Sequence, residues 1–104
     1  MSGGSLTTAL HTFVSGTTVQ TKQLFSGRQQ LMSIKVSNNS TTANTVTFYD
    51  GTSASGKAIL RVFVGTAKQN LDFDMHGALI DTVLFVSATD GSGKENLSVS
   101  AQYR

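Results

Sequence analysis

Three side chains in the C-terminal half have the types and spacing to hold a cation. In LDFDMHG, Asp72, Asp74 and His76 stand at i, i+2 and i+4, and alternate residues of an extended strand share a face with Cα atoms about 7 Å apart. Carboxylate oxygens with an imidazole nitrogen suit a divalent transition metal. The same spacing also describes a solvated strand face, because Leu71, Phe73 and Met75 form the matching apolar face, and outward charges there discourage another chain from adding a strand. The second reading is the more economical, and no metal ligand is assigned.

A second stretch with chemical potential is GTSASGKA, in which Gly51, Gly56 and Lys57 match the phosphate-loop pattern GxxxxGK. The pattern needs Ser or Thr after the lysine to hold magnesium, and a helix whose first amides face the phosphates. Ala58 follows instead, and Ile59 to Val64 alternate with a period of two. The loop therefore reads as a hairpin connection, and no nucleotide is expected.

Other reactive groups are sparse. There is no GxSxG elbow and no HExxH pair, and only His11 and His76 could serve as an imidazole base. Asp72 and Asp74 would act as a glycosidase pair only if one sat in a cleft with a raised pKa. An enzyme is not expected, and neither catalytic nor cofactor-binding residues are assigned. Lys22, Arg28 and Lys35 could meet across strands, but eight basic against six acidic residues give a net charge of only +2 with no cluster, so nucleic acid is not an expected partner. Asn38 and Asn39 fall in N-x-[ST] sequons, as a Ser/Thr-rich loop produces by chance. The absence of cysteine excludes disulfides and thiolate metal sites. No apolar run reaches the roughly 20 residues that span a bilayer, so no membrane role is expected.

The elements that would position these groups are strands. Serine and threonine supply 27 of the 104 residues, glycine 10, and charged residues only 13%, which favours short strands and turns over solvated helices. Residues 1–5 read as a flexible arm and residues 6–104 as a single β-sandwich domain. Strands are predicted over 6–14, 18–25, 30–37, 44–49 and 58–64. A further strand over 69–75 leads to a corner at His76 and Gly77, followed by 78–80, then 82–88 and 96–103. In the 82–88 run, Val83 to Val86 is unbroken apolar sequence, which predicts burial on both faces, deep in the fold or against a neighbouring subunit. About eight strands without a 3.6-residue period point to an all-β, antiparallel two-sheet sandwich, jelly-roll-like.

Three segments carry a family resemblance: TVTFYDGTSASGKAILRVFV (45–64), LDFDMHGALIDTVLFVSAT (71–89) and the closing NLSVSAQYR. In order of strand, DGTSASG-type loop, apolar strand, F-x-x-x-G corner (Phe73 to Gly77) and deepest strand, they resemble small jelly-roll β-sandwich virion proteins of tailed bacteriophages. A proline often stands in that family's corner, where this chain has Met75 and His76. The resemblance implies a non-enzymatic virion structural protein, foremost a capsid decoration (cement) protein that stabilises the head. Its partners would be the major capsid protein or other virion proteins, and it would form a homo-oligomer, with a trimer favoured. It would be located in the virion, assembled in the host cytoplasm. The alternative is a receptor- or glycan-binding module of a head or tail fibre, or a head-tail collar component. Without Trp, the sugar-stacking candidates would be Tyr49, Phe63 and Tyr103.

Overall fold

The computed structural model describes residues 6–16, 18–39, 43–64, 68–89, 94 and 97–104. The arm at 1–5 lies outside the described residues, as do parts of the connections at 38–44, 65–68 and 90–95. Among the described residues there are eight strands: β1 (Thr7–Thr12), β2 (Gln20–Ser26), β3 (Gln29–Asn38), β4 (Asn44–Asp50), β5 (Lys57–Val64), β6 (Gln69–Ile80), β7 (Val83–Thr89) and β8 (Leu97–Tyr103).

Their pairing follows one rule. β1 pairs with β8, β2 with β7, β3 with β6 and β4 with β5, all antiparallel, so the chain is one long hairpin in which strands pair inward from its two ends. Two further antiparallel contacts, β3 with β8 and β4 with β7, show that this hairpin is wound over on itself. The result is two four-stranded sheets, β1-β8-β3-β6 and β2-β7-β4-β5. This is the jelly-roll winding, and the sandwich expected from the sequence is the one observed.

Alternation places one face of each strand between the sheets. Leu31, Ile34 and Val36 of β3 and Leu97, Val99 and Ala101 of β8 meet Val46 and Phe48 of β4 and Leu84, Val86 and Ala88 of β7 in one buried cluster. Phe25 closes one end of it and stacks on Tyr103 with ring centroids 4.1 Å apart. The end where β4 stops is tied by Asp50, whose carboxylate accepts the Asp81 and Thr82 N–H groups at 3.0 and 3.1 Å.

Two elements differ from, or refine, the sequence reading. The corner at His76 and Gly77 is a bulge within a single twelve-residue strand, β6. Leu31 pairs with Ala78 and Ser33 with Asp74, so Met32 alone faces Met75, His76 and Gly77. The extra residues are absorbed because His76 and Gly77 take φ of 55° and 76°; the left-handed region, which Gly enters freely, lets the strand turn and resume. In β7, every residue from Val83 to Ala88 is buried, as predicted, but within the chain. It lies between β2 and β4, and Phe85, on its outer face, is covered in part by the ring of Tyr49, 6.2 Å away.

Candidate functional site

The Asp72, Asp74 and His76 ladder is exposed on β6, but the bulge breaks its period. The Asp74 carboxylate accepts the His76 backbone N–H at 2.9 Å, and His76 Nδ1 lies 3.6 Å from the same oxygen. The contact between Asp74 and His76 is thus a local turn bond. Among the described residues no three His, Cys, Asp or Glu side chains converge as a metal-ligating group.

The GxxxxGK stretch is a hairpin connection, and Lys57 begins β5. Its glycines serve close backbone approach. A Cβ on Gly56 would sit 2.9 Å from the Asp50 carbonyl oxygen and 3.1 Å from Gly51 Cα.

The three basic residues are dispersed. Lys22 lies on β2, Arg28 lies in the β2–β3 turn 3.8 Å from Asp81, and Lys35 lies on β3 opposite Asp72. His11 meets the Phe13 ring edge-on at 4.8 Å, and its pKa is lowered, first by burial and then by the charge of Lys22. Of the three candidate stacking rings, Tyr103 lies against Phe25 and Tyr49 against Phe85, which leaves Phe63, 70% exposed. Asn38 is buried at 1% exposure, so the first sequon is closed to a glycosyl group. Lys94 is fully buried. It has an interaction partner, as lysines buried to this depth do.

What the fold does assemble is a broad polar face on the outside of the β1-β8-β3-β6 sheet. Its register aligns side chains in rows across all four strands: Leu10, Ser100, Lys35 and Asp72 form one, and Thr8, Gln102, Ser33 and Asp74 form the next. Small serines in the middle leave two adjoining shallow hollows of about 370 and 400 Å³ that share Lys35 and Asp72. Cross-strand bonds hold side chains of this face: Ser33 Oγ donates to Gln102 Oε1 at 2.6 Å, and Ser37 Oγ to Asn70 Oδ1 at 2.7 Å. The face offers hydrogen-bonding groups and one lysine opposite one aspartate. Neither histidine joins these rows: His11 lies on the inner side of β1 and His76 beyond the Asp74 row.

At the β1 margin the face turns apolar. Leu6, Leu10, Val14 and Val19 are exposed at 48, 71, 68 and 60%, and these make up four of the six large hydrophobic side chains exposed among the described residues. The sequence reading missed this margin. The signal was present as Leu6, Leu10 and Val14 at every fourth position, but such a set ordinarily marks the buried side of a strand. No family model, curated protein or solved structure matches the chain.

Proposed function

We propose that the chain is a non-enzymatic virion structural protein, most specifically a capsid decoration protein that works by contact with the major capsid protein or other virion proteins. The observation that supports this reading is the nested strand order, a winding used by viral capsid and lectin domains. Fold alone does not fix function, and the surface narrows the choice. The described residues offer shallow polar hollows and an apolar margin, a surface suited to lying against another protein. On this reading the protein adds buried area across subunit junctions, where about 800 Å² per partner is normal for a specific contact.

The test is to purify virus particles that encode the chain and count it by quantitative mass spectrometry. The expected result is many copies per particle, and particles lacking the chain that release their genome at a lower temperature. Particles that contain none of it, or full particle stability after its deletion, would end the proposal.

A further inference from the structure

β1 is an open edge of unusual make-up. Among the described strands its only ladder partner is β8, and Phe13 N–H donates to the Leu97 carbonyl at 3.0 Å. Backbone groups alternate in direction along a strand, so the odd residues face β8, while Thr8, Leu10 and Thr12 turn their N–H and C=O groups to the open side. The open ladder stops at Val14, whose N–H and C=O are both taken by the Gln20 side-chain amide, at 2.9 and 2.6 Å. Its midpoint is therefore Leu10.

The side chains above this ladder are symmetric about the same residue. Reading the outer face along the chain gives Leu6, Thr8, Leu10, Thr12 and Val14: apolar, Thr, apolar, Thr, apolar. The face is inverted with respect to burial. Thr7, Ala9 and His11 lie on the inner side while Leu10 and Val14 stand in solvent, although register is normally set by hiding the more apolar side. Phe13, 1% exposed, anchors this orientation. Protection against strand addition is also missing here. The other three edge strands, β2, β5 and β6, each carry formal charge, at Lys22, at Lys57 and Arg61, and at Asp72 and Asp74, and each has a register break. β1 has neither a formal charge nor a bulge.

We propose that β1 pairs antiparallel with β1 of a second copy about a two-fold axis through Leu10, joining two sandwiches through one continuous eight-stranded sheet. Leu10 then lies opposite itself, Thr8 opposite Thr12, and Leu6 opposite Val14, with every side chain meeting its own kind across the seam. The three open residues on each strand form about six hydrogen bonds. A shift by one residue would place the outer side chains of one copy against the inner ones of the other, and a shift by two would leave part of the short ladder unpaired. An isologous contact of this kind gives dimers or even-numbered assemblies, unlike the trimer that the resemblance implies. The pairing does not depend on a virion role.

Sedimentation velocity and oxidative cross-linking test it. The wild-type chain is expected to sediment at about twice its 11.0 kDa mass. Leu10→Lys sets like charges against each other on the axis and should weaken association roughly a hundredfold, with the β-type circular dichroism unchanged because Leu10 is solvent-exposed. Thr8→Lys with Thr12→Glu should keep the dimer, since each new charge meets its opposite, whereas Thr8→Lys with Thr12→Lys should abolish it. The chain has no cysteine, so Leu10→Cys should form a covalent dimer on oxidation, while Leu79→Cys on the far edge should not. A wild-type chain that stays monomeric, a dimer or trimer indifferent to Leu10→Lys, or equal cross-linking at positions 10 and 79 would overturn the proposal.

Discussion

The two margins of one sheet have opposite designs. β6 carries Asp72 and Asp74 outward and breaks its own ladder with the left-handed pair His76 and Gly77, two devices that blunt an edge. β1, three positions away in the same sheet, is short, regular and uncharged, with leucine on the solvent side. Sheet geometry alone would treat the two edges alike. Edges are thus specified individually by side-chain chemistry: one carries charge and a bulge, and the other neither.

The largest effect should come from undoing the bulge. Gly77→Val forces a β-branched residue to φ near 76° and should lower stability by about 2–3 kcal/mol, a fall of roughly 10–20 °C in Tm by calorimetry. Thr8→Val on β1 should stay within about 0.5 kcal/mol of wild type, and equal costs at the two sites would erase the contrast. Next, Gln20→Ala removes the amide that bonds Val14 on both sides. It should cost about 1 kcal/mol in urea unfolding and speed hydrogen exchange at the Val14 amide; unchanged exchange would show that the open ladder does not end there.

A third substitution opens the closed margin. Asp72→Thr with Asp74→Asn removes both charges while keeping an acceptor for the His76 N–H. Tm should hardly move, but light scattering should rise with concentration, and a clear solution at all concentrations would show that the bulge alone suffices. The smallest effect concerns His11. Its pKa is lowered by burial and by Lys22, so the unfolded chain binds the proton more readily. Stability should therefore be fully present above the unfolded value of about 6.5 and decline as the pH falls through the lower folded value. His11→Gln should flatten that part of the Tm against pH curve.

Much of this architecture is legible in the sequence, because period-two alternation is strong wherever one face is dry, as in Ile34 to Val36 or Leu97 to Tyr103; at Met32 the register break puts Leu31 in the core instead. The break at His76 and Gly77 is legible as a position but not as a bulge: a left-handed glycine turns a corner or interrupts a ladder, and only the pairing of Leu31 with Ala78 decides. Strand order depends on contacts between residues nearly a chain length apart, which no local window contains. The surface read least well. Asp72, Asp74 and His76 drew attention by type, whereas the β1 margin is ordinary in composition. Which parity of β1 faces water depends on Phe13 reaching Leu97 across the sheet.

The inward-pairing hairpin also bears on when this protein can fold. Thr7 sits opposite Tyr103, so of these eight strands the first waits for the eighth. During synthesis β1 has no partner of its own until β8 clears the ribosome, and closure over such a separation belongs with β proteins that need roughly milliseconds to seconds. For that interval the uncharged strand with its bare Leu10 is exposed in a half-made chain, where neighbouring nascent chains on one messenger would meet it first.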